Sequence, residues 1–147
     1  MNFSIRQSVS DDKPEIEALF CEMLRTVYQT DSAEGYEAGY LGKFFAGSAD
    51  RIFADETDGV FAGYISVEVY PEHIYLDDLS VSGKFRNSGI GTALIKTAEK
   101  YAEDIGIFSA ELHVEKENGN ARCLYERLGY SVIAEDDSRF CMKKDLR

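Results

Sequence analysis

Three consecutive stretches between Ile74 and Val114 constrain the fold more than any other feature of the chain. Ile74 to Val81 reads as a strand, and Leu94, Ala98, Tyr101, Ala102 and Ile105 then fit a helix over Gly91 to Ile105. Phe108, Ala110, Leu112 and Val114 alternate as a strand again. A strand, a helix and a strand in succession imply a parallel pair, because parallel neighbours need a crossover of this kind.

The flanking segments supply antiparallel partners. Phe3, Ile5, Gln7 and Val9 alternate with Ser4, Arg6 and Ser8, the period-2 pattern of a strand with one buried face. Asp11, Asp12 and Pro14 open a helix whose stripe is Ile16, Leu19, Phe20, Met23, Leu24 and Val27. Tyr36, Tyr40, Leu41, Phe44 and Phe45 make a second, weaker helical pattern, interrupted by Gly35, Gly39, Gly42 and Gly47. Arg51 to Asp55 and Val60 to Tyr70 read as strands joined by Asp58-Gly59, a hairpin signal because glycine accepts positive φ. Ala121, Leu124, Tyr125 and Leu128 mark a short helix stopped by Gly129. Tyr130 to Ala134 and Arg139 to Lys143 form a last hairpin. With no repeat or linker, residues 1–147 read as a single domain.

Charge narrows the function. Sixteen Lys and Arg against twenty-seven Asp and Glu give a net charge of −11, which repels nucleic acid and anionic membrane surfaces. No apolar run approaches the ~20 residues of a membrane span, and the first residues carry no leader pattern, so the expected location is cytoplasmic. Cys21, Cys123 and Cys141 are odd in number and widely spaced, which reads as buried thiols in a reducing compartment, with no metal expected. The acidity is weighted to the front, −7 over residues 1–60, whereas Lys84 to Ala98 holds three basic residues and no acid.

That basic stretch surrounds the informative turn. Leu76-Asp77-Asp78-Leu79-Ser80-Val81 leads into Ser82-Gly83-Lys84-Phe85-Arg86-Asn87-Ser88-Gly89-Ile90-Gly91-Thr92, a strand that enters a glycine turn and opens a helix. The first N–H groups and the dipole of such a helix favour an anion, so the turn is expected to bind phosphate. A P-loop would need Gly-Lys-Ser/Thr after its glycines, and a dinucleotide fingerprint would need a small residue where Leu94 stands; neither spelling is present.

Arg-x-x-Gly-x-Gly after an extended strand resembles the pyrophosphate loop of the GNAT superfamily of N-acetyltransferases. Asn118 to Tyr130 resembles that family's second signature, Asn-x-x-Ala-x-x-Leu-Tyr-x-x-x-Gly-aromatic, at the expected spacing. The resemblance covers nearly the whole chain. It implies a mixed, mainly antiparallel sheet of six or seven strands, helices on both faces, and a parallel pair splayed between the strands ending at Val81 and Val114. It further implies acetyl-CoA as cofactor, with Leu79, Ser80 and Val81 meeting the pantetheine arm. Arg86, Asn87, Ser88, Gly89, Ile90, Gly91 and Thr92 would hold the diphosphate. Asn118 would bond the pantetheine or hold the strand end, and Tyr125 would point at the cofactor sulfur. The family often has a proline-containing turn where Ser82-Gly83-Lys84 stands.

Acetyl transfer needs an amine that has lost its proton, a donor for the oxyanion and an acid for the departing thiolate. A tyrosine hydroxyl, unperturbed near about 10, donates to a thiolate and stays neutral at pH 7, which suits Tyr125; the same residue also completes the Ala121, Leu124, Leu128 stripe. Leu76-Asp77-Asp78-Leu79 is similar to the Leu-Glu-Asp segment of members that acetylate polyamines and other cationic amines. By that match Asp77 holds a proton-relaying water and Asp78 the substrate cation. Adjacent strand residues face opposite ways, so only one of them need line the site. Glu68 and His113 are weaker candidates, His113 because it alternates away from the Leu112 and Val114 face. Tyr36 and Tyr40, with Phe44 and Phe45, either wall the substrate pocket or belong to the core. The expected acceptor is a cationic small molecule of polyamine or aminoglycoside type. A protein N-terminus or lysine, and a catalytically idle acyl-CoA-binding module, are the competing readings. A homodimer is the ordinary assembly on symmetry grounds.

Overall fold

The computed structural model describes residues 3–27 and 40–147. Strand β1 (Phe3–Gln7) passes through a 3-10 turn (Ser10–Asp12) into α1 (Lys13–Val27), and a side-chain clamp fixes the junction. The Asp12 carboxylate accepts two bonds from Arg6 (2.7 and 2.9 Å), one from Ser8 Oγ (2.8 Å) and one from Val9 N (2.9 Å). Arg6 also reaches Glu56 at 2.7 Å, tying the clamp to the next strand. The expected buried face of β1 is confined to Ile5. Phe3 is 42% exposed because β1 is an edge strand at the rim of the sheet, and Val9, 55% exposed, lies past the strand at the cap of the 3-10 turn.

β2 (Arg51–Thr57) and β3 (Val60–Val69) form the expected hairpin: Thr57 stands opposite Val60, with Asp58 at φ 52° and Gly59 at φ 81°. Two successive positive φ values make the two-residue turn whose twist suits paired strands. β4 (Ile74–Val81) runs antiparallel to β3, and α2 (Ile90–Asp104) crosses over to β5 (Ser109–Glu115), parallel to β4. α3 (Gly119–Arg127), β6 (Ser131–Glu135) and β7 (Arg139–Asp145) complete the chain. The seven strands lie in the order β1-β2-β3-β4-β5-β7-β6, and every neighbouring pair is antiparallel except β4–β5. This is the mixed sheet that the sequence implied.

Each face has its own core. α2 places Ile90, Leu94, Ile95, Ala98 and Ala102 on Ile65, Val67, Ile74, Leu76, Leu112 and Met142. The opposite face carries Ile16 and Leu19 of α1 with Leu41, Phe44, Ile52 and Tyr64. Each large side chain so buried contributes on the order of 1.5–3 kcal/mol. The second helical pattern appears as a 3-10 segment, Tyr40–Phe45, that buries Leu41 and Phe44; Tyr36 lies outside the described residues.

The parallel pair is short and broken by design of the register. β4 and β5 pair only through Ile74↔Ala110, Tyr75↔Glu111 and Leu76↔Leu112. On the other edge of β4, Val67 pairs with Leu76 and Ile65 with Leu79, so Ser66 alone stands opposite both Asp77 and Asp78. This β-bulge bends β4 where its pairing with β5 stops, and the two strands diverge as a V.

Candidate active site

The V opens into a cleft of about 930 Å³ whose lining includes Leu79, Ser80 and Val81 of β4, every residue from Arg86 to Thr92, and Asn118 and Tyr125. All the residues assigned to the cofactor therefore meet in one place. Main-chain groups face the gap. Ser82 N donates to Ala62 O (2.7 Å), so in the alternating antiparallel ladder Ser80 also turns its polar groups to β3, leaving those of Leu79 and Val81 directed toward the open side.

The turn before α2 is shaped by two left-handed residues, Asn87 (φ 59°) and Gly89 (φ 88°). Gly89 caps α2 without a side chain, and no acid stands in the helix's first turn, so the N–H groups of Ile90, Gly91 and Thr92 meet the cleft with no capping side chain on them. A Cβ at Gly91 would make ordinary contact, at 3.9 Å, with the side chains of Leu79, Val81 and Leu124, which puts this position on the gap between β4 and α3. Sequence reasoning missed Glu22 of α1, which also lines the cleft: its Oε2 accepts from Gly83 N (3.1 Å) and lies 4.0 Å from Arg86 Nη2. Its stripe-bound helix gave no signal of this approach.

Asn118 caps α3, its Oδ1 accepting from Ala121 N at 3.3 Å. That cap aims α3 so that Tyr125, half-buried and edge-on to Tyr130 at 6.2 Å between ring centroids, both packs on the core and lines the cleft. The two readings of Tyr125 are compatible.

Asp77 and Asp78 lie on β4 between the last rung to β5 and the cleft-lining Leu79, and neither they nor Glu68 line the cleft itself. Ile74 and Leu76 face α2 before the bulge and Leu79 and Val81 after it, a change of parity that leaves Asp77 and Asp78 together on the opposite face. Simple alternation, which had put them on opposite faces, fails inside a bulge. Glu68 of β3 shares that face, between the core-facing Val67 and Val69, and is paired with Lys43. Burial, and then the charges of Asp77 and Glu68, push the Asp78 carboxyl up to about 7. Its main-chain N–H donates to Ser66 Oγ at 2.9 Å. Asp77 is exposed. His113 lies on this same face, since Leu112 and Val114 take the α2 side. Tyr40 begins the 3-10 segment whose Leu41 and Phe44 pack beside β2 and β3.

The thiols differ from expectation. Cys123 is exposed on α3, and Cys21 and Cys141 are half-buried; all three are free. The α3 stripe turns Leu124 and Tyr125 inward, which leaves Cys123 outside.

Comparison with known proteins agrees with this geometry. A model described as the acetyltransferase (GNAT) family matches residues 16–130. An uncharacterised N-acetyltransferase of Methanocaldococcus jannaschii is 32% identical over 127 residues, 86% of this chain and 76% of that protein. Spermidine N(1)-acetyltransferase of Escherichia coli K12 is 30% identical over 131 residues, 78% of this chain and 70% of that one. The crystal structure of PaiA N-acetyltransferase from Thermoplasma acidophilum in complex with coenzyme A superposes with a TM-score of 0.82, at 22% identity over 99% of both chains.

Proposed function

The chain belongs to the acetyltransferase (GNAT) family, and on that footing we propose that it moves an acetyl group directly from acetyl-CoA to a cationic primary amine. The coenzyme fits the residues that meet at the cleft. Arg86 and the N–H groups at the start of α2 suit a diphosphate. The main-chain groups of Leu79 and Val81 suit the amides of the pantetheine arm. When bound, acetyl-CoA supplies the acyl group as a thioester. Tyr125, across the gap on α3, donates a proton to the departing sulfur. Asp77 holds the water that first takes the amine proton, and Asp78 binds a cationic centre of the acceptor.

One observation carries the acceptor class: Asp77 and Asp78 share the face of the bulge, one residue from the cleft-lining Leu79, with Glu68, which is ion-paired with Lys43. Burial and then two like charges push the Asp78 carboxyl up to about 7, and a bound ammonium opposes that shift by favouring the carboxylate. Similarity to relatives named for spermidine supports the same reading.

The test gives the protein acetyl-CoA with spermidine, with a hydroxyl-bearing primary amine of matched length whose remainder is neutral, or with a peptide bearing a free N-terminus, and counts acetylated product by mass spectrometry. Spermidine is expected to exceed the others in kcat/KM by about tenfold or more, the value of one good charged contact. Equal or better transfer to the hydroxyl-bearing amine or the peptide overturns the acceptor class. Binding of acetyl-CoA with no product from any amine overturns the enzymatic reading.

A further inference from the structure

We propose that Tyr75 and His113 form the path by which the proton lost by the acceptor leaves the head of the cleft, an inference that rests on the transfer reading above. Leu76↔Leu112 is the last rung of the parallel pair, so Asp77 and His113 are the first residues beyond it on the two arms of the V. Both belong to the face opposite α2, as does Tyr75. The Tyr75 hydroxyl lies 2.6 Å from His113 Nδ1, with the rings tilted at 58° and 5.5 Å between centroids. Tyr75 is half-buried and His113 is exposed, so the pair opens onto solvent beside Asp77.

Protons and electrons balance along this path. The acceptor N–H bond breaks and nitrogen keeps the electron pair that attacks the thioester carbonyl. The proton passes through the water on Asp77 to Tyr75 Oη, as Tyr75 hands its own hydroxyl proton to His113 Nδ1. The imidazolium then releases a proton from Nε2 to bulk water. Burial and the charge of Asp77 push the Tyr75 hydroxyl up to about 12, so it conducts a proton without itself standing ionised. The charged and titratable groups around the pair are Asp77 and Asp78 on β4, Glu68 on β3 with Lys43 of the 3-10 segment, Arg139, Cys141 and Lys143 on β7, and Glu111 and Glu115 on β5.

The experiment measures kcat for a saturating cationic amine against pH in the wild type, in His113→Gln and in Tyr75→Phe, with His113→Gly assayed with and without added imidazole. At saturation the bound cation holds Asp78 ionised, so its titration is removed from the profile. His113→Gln should change the shape of the pH profile and lose about 10- to 100-fold in kcat at the optimum, within the span of general acid–base effects, with acetyl-CoA affinity kept. Tyr75→Phe should fall comparably, and imidazole should restore much of the His113→Gly rate. A purely structural Tyr75–His113 pair would show no rescue. A wild-type pH profile and rate in His113→Gln overturn the relay while leaving the transfer reading standing. A wild type that prefers primary amines whose remainder is neutral overturns the reading beneath it.

Discussion

The two sides of the cleft are made of different material. The donor side is main chain: the open edge of Leu79 to Val81, the left-handed turn at Asn87 and Gly89, and the start of α2. The proposed acceptor side is charge on side chains: Asp77, Asp78 and Glu68, the last ion-paired with Lys43. A main-chain site is fixed by which residues adopt unusual φ, and it offers donors to any phosphate. A side-chain site is fixed by which carboxylates face together, and that depends on one rung of strand register. The Arg6–Asp12 clamp shows what such a carboxylate looks like when its partners are built in. Bonds from Arg6, first among its causes, draw Asp12 down to about 2, whereas Asp78 is pushed up to about 7. One acid is satisfied by the fold, and the other is pushed toward its neutral form by burial and like charge.

Removing the residue that stands between the two sides should have the largest effect. Tyr125→Phe keeps the ring on the core and removes only the hydroxyl. Transfer is expected to slow by about 10²- to 10⁴-fold, with both ligand affinities and the thermal melt unchanged. Near-normal turnover in a folded variant would return Tyr125 to the core alone.

Asp78→Asn strikes only the acceptor side. The KM for a cationic amine should rise by about 10- to 100-fold, the loss of one charge-assisted contact, while acetyl-CoA affinity stays put. Stability should move the other way. A carboxyl raised in the folded state binds its proton more tightly there than when unfolded, so it favours folding at low pH and costs stability as pH climbs from the ordinary carboxylate range to about 7. The variant should therefore gain melting temperature over wild type at pH 8 and little at pH 4. A melt that falls at pH 8 would break the contrast with Asp12.

Asp12→Asn is the mirror image. A depressed pKa contributes stability above the ordinary carboxylate range that is lost as pH falls toward about 2. The variant should lose about 2 kcal/mol at pH 7, a drop of roughly 5 °C in Tm, with kcat and both KM values intact.

Gly91→Val sharpens the donor side. A Cβ there makes ordinary 3.9 Å contact with Leu79, Val81 and Leu124, and the two further methyls of valine extend beyond it into the gap. Acetyl-CoA affinity should fall by about tenfold by calorimetry, or ~1.4 kcal/mol, with the fold kept. Undiminished affinity would remove this turn from the cofactor site.

The difference between the two sides also explains what the sequence disclosed. The crossover, the hairpin at Asp58-Gly59 and the glycine turn were legible because each is written in local residue choice, and so was the place of Tyr125 on its helix stripe. The bulge was not. Nothing in Leu76-Asp77-Asp78-Leu79 marks an extra residue in the ladder; only the pairing of Ile65 with Leu79 and Val67 with Leu76 reveals it. His113 was discounted for turning away from Leu112 and Val114, yet that turn is what places it with the acids. Glu22 and Phe3 taught the same lesson, since contact with a distant loop and position at a sheet edge are tertiary facts.

The most direct test of the central claim is a rapid-quench experiment in which protein loaded with acetyl-labelled acetyl-CoA is mixed with spermidine. Label should pass to the amine without appearing on the protein, at a rate that saturates with spermidine, and Asp78→Asn should need more amine to reach the same plateau. Label trapped on the protein first, or a plateau lost with no change in the amine concentration required, would contradict direct transfer to a cation held at the bulge.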